Sequence, residues 1–197
     1  IVDGAVRIVG TDKALDLAAI AALPGATTAM LRVHQSWTPP AATFPNGTHV
    51  CELEVDPQTG ATEILNYVVV DDFGETLNPD MLRGQVHGGS AQGIGQALME
   101  EIRFDESGQM LTATFMDYAM PRAIDIPNFH FETRNVRCVT NAIGVKGAGE
   151  AGAIGACPAV MNAMVDALNR AAGIKAIDMP ATPVKVFNAL KSAGYRL

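Results

Sequence analysis

Charge is scarce in this chain: Asp, Glu, Lys and Arg make up only 18% of its residues. What there is leans acidic, with 14 Lys+Arg against 21 Asp+Glu and a net charge of −7, which argues against a protein held to nucleic acid by phosphate contacts. Cysteine is equally sparse. Cys51, Cys138 and Cys157 stand far apart, odd in number and without a CxxC, so a disulfide scaffold is not expected and a reducing, cytoplasmic compartment is. Neither they nor His34, His49, His87 and His130 show metal-ligand spacing, so no metal site built from protein ligands is expected. No apolar run approaches the ~20 residues of a membrane-spanning helix, and no charged n-region precedes an apolar h-region; neither a membrane span nor a secretory signal is read. GxSxG and Gly-Lys-Ser/Thr are both missing, which removes an α/β-hydrolase nucleophile and a P-loop. The chain opens on Ile1 rather than methionine and reads as a fragment or a processed piece.

Against these absences, 48% of the 197 residues are apolar, enough for a substantial core, and glycine (19) and methionine (9) are plentiful. So little charge suits a surface covered by other protein. The pattern along the chain is least regular at the start, and residues 1–43 are read as an irregular segment continuing from an upstream part. Within it, Thr11 can cap a helix on Leu15, Ala18, Ala19 and Leu23 that Pro24-Gly25 ends. Residues 34–47, with three prolines, form an irregular connector.

Residues 44–197 are read as one domain. His49 to Val55 alternates, Asp56 to Gly60 has turn composition, and Ile64 to Val70 is β-branched and apolar: a hairpin. Asn78-Pro79 looks like an N-cap followed by a first-turn proline, opening a helix to about Glu101 with Ile94, Ala97, Leu98 and Ile102 buried. A second hairpin is expected about Glu106-Ser107-Gly108, then a strand from Phe129 to Val139. Helices follow on Met161, Met164, Val165 and Leu168, and after Thr182-Pro183 on Val186, Phe187 and Leu190. This order gives an α+β fold of mixed sheets with hairpins and packed helices, rather than a doubly wound parallel sheet.

Two glycine-rich stretches carry the candidates for chemistry. Arg83 to Gln96 places five glycines in or beside a helix, where each costs roughly 1 kcal/mol against alanine. Close approach of another backbone, or of a bulky ligand, would repay that. Gln85 and Gln92 carry amides that can fix the edge of a heterocycle, while His87 alone reads as a structural histidine. Gly144 to Gly155 contains GxGxxG at Gly147, Gly149 and Gly152, so a dinucleotide site must be considered. Against it, Glu150 would repel a pyrophosphate, only about 45 residues follow, and the preceding strand alternates instead of being apolar throughout. Glu150 could act as a general base if shielded from water, or simply favour a helix N-terminus through the dipole.

Taken in order, several segments form a longer pattern: Phe44 to His49, Glu54 to Gly60, Asp71 to Pro79, Gly84 to Gly89, Gln92 to Leu98, Met116 to Pro121, Gly144 to Gly155 and Ile177 to Pro183. This pattern resembles the molybdenum hydroxylases, the xanthine oxidase, aldehyde oxidase and carbon monoxide dehydrogenase family, in the C-terminal part of their large, molybdopterin-binding subunit. The resemblance implies molybdenum carried by a pterin, expected in its cytosine dinucleotide form. The metal then needs no protein ligand, in keeping with the missing His/Cys cluster.

By the same resemblance Glu150 is the general base that deprotonates the hydroxyl on molybdenum, and the oxygen put into the substrate comes from water. Gln85 is expected to bond the cofactor, with the backbone of Val145, Lys146, Gly147, Ala148 and Gly149 lining the site. Electrons would leave through 2Fe–2S clusters, commonly to FAD, on partner domains or subunits. The remainder of the large subunit would be the first partner, and an aldehyde, an N-heterocycle or carbon monoxide the small-molecule substrate. A nucleotide-binding module using Gly147, Gly149 and Gly152, and an inactive structural paralogue, are the alternatives.

Overall fold

The computed structural model describes residues 3–196, which fall into two compact units, 1–39 and 40–197. In the first, β1 (Ala5–Arg7) pairs antiparallel with β2 (Ala14–Asp16), followed by the short helices α1 (Leu17–Ala21) and α2 (Thr28–Leu31). Asp16, not Thr11, caps α1: its carboxylate accepts from the Ala19 N–H at 2.6 Å. Thr11 instead closes the β1–β2 turn by donating to the Ile8 carbonyl, and Leu15 sits in a strand. A hairpin outcompetes the longer helix because α1 gathers no buried residue to pay for extra turns.

The second unit is built on a three-stranded sheet. β3 (Asn46–Val55) and β4 (Thr62–Asp72) form the expected hairpin, with a bulge between Glu52 and Leu53. His49, Cys51, Leu53 and Val55 face inward by strict alternation, opposite Val69, Tyr67, Ile64 and Thr62 of β4. β4 leads into α3 (Pro79–Leu98), whose Asn78 cap accepts from the Met81 N–H at 3.0 Å with Pro79 in its first turn. The chain returns to β5 (Phe129–Thr133), then enters α4 (Ala151–Ala172) and α5 (Pro183–Ser192). Val86, Ile94, Val160, Met164, Leu168, Val186 and Leu190 complete a core between helices and sheet. Helices and a mixed sheet make this the α+β fold expected.

Four expectations need correction. β5 pairs parallel with β4, not as another hairpin strand, and it alternates because Phe129 and Phe131 face α3 while His130 and Glu132 lie exposed. An edge strand covered on one face needs no continuous apolar run. It also stops at Thr133, because the next N–H groups turn away to the end of β4: Arg134 to the Asp71 carbonyl, Val136 to the Asp72 carboxylate. The second hairpin turns where expected, with the Asp105 N–H donating to the Gln109 carbonyl and the Leu111 N–H to the Arg103 carbonyl. Its ladder is short, with one bridge from Phe104 to Met110, and Ile102 lies exposed beyond the end of α3. Finally, α4 is long and apolar enough to cross a membrane, with a mean hydropathy of 1.4. Its Gly152, Ala156, Val160, Met164 and Leu168, spaced by four, are buried against this unit's own sheet and α3, so this face of the helix belongs to the core.

Candidate functional site

The two glycine-rich stretches meet where α3 lies across the start of α4. A Cβ on Gly152 would stand 2.5 Å from the Val86 carbonyl oxygen and 2.6 Å from the Ser90 nitrogen. One on Gly93 would stand 2.6 Å from the Ala156 methyl, and one on Gly155 would enter the His49 ring. These glycines let two backbones touch, which is what repays their helical cost. Gly84, Gly88 and Gly149 are different: nothing lies within 4 Å of the position their Cβ would take. Gly147 has only the Thr43 hydroxyl, at 3.9 Å.

The loop before α4 is held from several sides. Asn141 clamps Val145, accepting from its N–H at 3.1 Å and donating to its carbonyl at 2.9 Å. Val145 bridges Gly74, and the Lys146 N–H donates to the Phe73 carbonyl at 2.8 Å. The Gly147 N–H donates to Thr43, and Gln85 reaches from α3 to donate its amide to the Gly149 carbonyl at 2.7 Å. Among the described residues the N–H groups of Ala148 and Gly149 find no acceptor. Backbone donors and bare glycine surface therefore face open space together.

Glu150 follows as the N-cap of α4, exposed, with no capping hydrogen bond from its side chain. It lines a cleft of about 240 Å³ with Gln92, Gln96 and Cys157. Val145, Lys146 and Ala148 line a second cleft, of about 350 Å³, with Gln85, Phe73 and Leu82. The structure thus brings Gln85 to the Val145–Gly149 loop at the Gly149 carbonyl, while the adjoining Glu150 opens on the neighbouring cleft beside Gln92.

Three participants escaped the sequence reading. Gln96 lies one turn beyond Gln92, a spacing that signals a shared face. Cys157 lies two turns beyond Glu150, and burial pushes its thiol up. Asp72, the third, is nearly buried and accepts from four donors: the Gly74 and Val136 N–H groups, the Asn46 amide and the Lys146 ammonium. Burial pulls its carboxyl up, but the Lys146 and backbone hydrogen bonds outweigh that and hold it at about 2. No sequence pattern announces this cluster, because its partners lie 74 residues apart.

His87 is not drawn into the site. Its ring packs tilted against Phe129 and edge-on to Phe131, its Nε2 is buried without a partner among the described residues, and burial and then Arg83 lower its pKa. A further cleft, of about 740 Å³ between Ile64, Leu98, Tyr118 and Ile126, lies at the far end of α3. In its lining Arg122 is paired with Asp125 and the Tyr118 hydroxyl donates to Glu100. Among the described residues no group of three or more His, Cys, Asp and Glu could hold a metal ion.

The dinucleotide alternative loses its structural context. Gly147 and Gly149 lie at the end of a 17-residue irregular passage between β5 and α4 instead of in a tight strand-to-helix turn, and no strand follows α4 among the described residues.

A helix and loop offering open glycines, free N–H groups and an amide define a cradle for a large polar ligand. Residues 1–127 match the molybdopterin cofactor-binding domain family, reaching back through the segment where no motif was recognised. The chain is 36% identical over 94% of its length to the 6-hydroxypseudooxynicotine dehydrogenase complex subunit gamma of Paenarthrobacter nicotinovorans. It is 38% identical over 82% to the nicotine 6-hydroxylase large subunit of the same organism. Reconstituted CO dehydrogenase from Oligotropha carboxidovorans superposes with a TM-score of 0.75, at 34% identity over 79% of this chain. The chain belongs to the molybdopterin cofactor-binding domain family of the molybdenum hydroxylase large subunits. It spans 24% and 20% of those two relatives and 19% of the CO dehydrogenase chain.

Proposed function

We propose that this chain is the part of a molybdenum hydroxylase large subunit that supplies the general base and one wall of the cofactor site. The observation that carries the proposal is the meeting of Gln85, the open Ala148–Gly149 backbone and Glu150 at the head of α4. The residues fit the group: a pterin carrying anionic oxygens finds N–H donors and an amide, and it finds no side chain in its way at Gly149 or Gly88. Bound there, the cofactor supplies two-electron redox chemistry and a site where oxygen from water joins the substrate carbon. The chain's own contribution is Glu150, whose carboxylate oxygens take up the proton released in that step. Gln85, tied to the Gly149 carbonyl, sets the loop's distance from α3.

The substrate class is an aldehyde, an N-heterocycle or carbon monoxide, in keeping with relatives named for a nicotine hydroxylase and a CO dehydrogenase. The cytosine dinucleotide form of the pterin, 2Fe–2S and FAD partners and a cytoplasmic location belong to the same proposal. Exposed apolar residues such as Phe115 (83%) and Met116 (94%) suit burial against the rest of the subunit.

Glu150→Gln in the assembled enzyme tests the base. Turnover falls by ~10²–10⁴-fold with molybdenum retained; near-normal turnover removes Glu150 from the chemistry. Metal analysis of the intact complex tests the cofactor: molybdenum and iron near a ratio of about one to four support it, as two 2Fe–2S clusters require. Neither metal in a fully assembled complex points to the inactive paralogue instead.

A further inference from the structure

The loop that presents Glu150 is held by an ion pair that the proposed chemistry does not use. Lys146 lies at the centre of the stretch expected to line the cofactor, yet its side chain turns inward. Its ammonium meets the Asp72 carboxylate with both side chains largely shielded from water, 13% and 8% exposed. The other oxygen of Asp72 accepts from Gly74 at 2.9 Å and Val136 at 3.0 Å, so one carboxylate ties together three passages of chain. These are the turn after β4, the passage leaving β5, and the loop itself.

We infer that Asp72 and Lys146 are positioning residues: a lock that fixes the Val145–Glu150 loop against the end of β4 before any cofactor arrives. Four features make the pair a lock instead of an incidental salt bridge. It is shielded, whereas the ion pairs Arg83–Asp80, Arg137–Glu75 and Arg170–Asp166 are exposed and contribute little. It joins segments 74 residues apart. It acts at the point where backbone pairing ends, since the Lys146 N–H is the loop's last bond to the β4 turn. Beyond it the loop's hydrogen bonds among the described residues are those with Thr43 and Gln85, beside the packing of the Ala148 methyl against the core, with Gly147 and Gly149 offering no side-chain anchor. A flexible loop would have to be ordered at the expense of ligand affinity; a prelocked one has its donors already in place.

The lock concerns the loop whichever ligand it serves, while its value to a molybdenum cofactor rests on the function proposed above. The test uses the full-length subunit carrying this chain, with Asp72→Asn, Lys146→Met, both together, and Lys146→Arg. Backbone hydrogen exchange over residues 143–150 is followed in cofactor-free protein, alongside molybdenum retention after prolonged dialysis. Each single variant raises loop exchange on the order of 10-fold, the worth of one charge-assisted hydrogen bond, and the double variant adds no more. Lys146→Arg restores most of the protection, and exchange in α4 beyond Ala156 stays as in the wild type. Should one single variant fail to fold, the other still reads the loop.

Unchanged loop exchange in the single variants overturns the lock. So does loss of molybdenum in Lys146→Met alone, with loop exchange intact, since Lys146 would then contact the cofactor directly. A loosened loop in a subunit whose wild type binds no molybdenum leaves the lock standing and sinks the functional proposal instead.

Discussion

Gly152 of α4 and Gly149, three residues before it, are the same residue type placed for opposite reasons. A methyl on Gly152 would stand 2.5 Å from the Val86 carbonyl oxygen, inside the backbone of α3; a methyl on Gly149 would meet nothing within 4 Å. One glycine is filled by the protein and the other is left bare. The seam between α3 and α4 is thus complete in itself, while the loop beside it offers surface and unpaired N–H groups that this chain does not use. The difference separates glycines that serve the fold from those available to a ligand, a distinction composition alone cannot make.

Gly152→Ala attacks the seam and has the largest expected effect on stability. The new methyl meets backbone atoms of α3 on two sides, so the helices must part. Overpacking of this kind costs about 1–3 kcal/mol, against the ~1 kcal/mol alanine contributes to helix propensity. With backbone on both sides the high end applies, for a net loss of about 2 kcal/mol in the unfolding of the full-length subunit. Unchanged stability would mean that α3 and α4 do not touch there, and the comparison would fail.

Much of this seam was legible in the sequence and much was not. Alternation from His49 to Val55, the Asn78-Pro79 cap and the Met161–Leu168 spacing are local signals, and each marks an element that forms. The β5 pairing was illegible because strand direction is set by where the chain returns after α3, not by the strand's own pattern. The early helix was misread because Thr11 and Asp16 are both competent caps, and the β1–β2 pairing decides between them. In the site, the clustering of Gln85 with Gly149 and Glu150 followed from the recognised motifs. Asp72 did not: it stood in a quoted segment, but its partners Lys146 and Val136 come from passages that only the fold brings near.

Acid sharpens the comparison next, because the α3–α4 seam is apolar and the loop's anchor is charged. The Asp72 carboxyl titrates at about 2 in the fold, against an ordinary value near 3.8. A depressed pKa means the unfolded chain binds the proton first. The stabilisation is therefore complete above pH ~4 and is lost as pH falls from there towards 2. Asp72→Asn should lower stability by about 1.5 kcal/mol at neutral pH, the scale of hydrogen bonds to a charged group. The gap between variant and wild type should close as pH falls from ~4 towards 2. Gly152→Ala should show a gap that does not depend on pH in this way. A constant gap for Asp72→Asn would mean that the carboxylate's charge contributes nothing to holding the loop.

The smallest effect on stability is expected at Gly149, and it is the most telling for function. Alanine there meets open space, its φ lies outside the left-handed region, and the Gly149 carbonyl can still accept from Gln85. Reduced freedom of the unfolded chain would even favour the variant slightly, so its unfolding midpoint should shift by no more than about ±0.5 kcal/mol. If the bare surface exists for a ligand to approach, the same methyl should lower molybdenum content in the assembled enzyme while leaving the fold intact. Loss of stability in cofactor-free protein would show that Gly149 is packed after all, and the two glycines would then share one explanation. Unchanged stability with unchanged molybdenum would place the cofactor's approach elsewhere on the loop, beside Gly147 or across α3 at Gly84 and Gly88, and the same pair of measurements can be repeated at each.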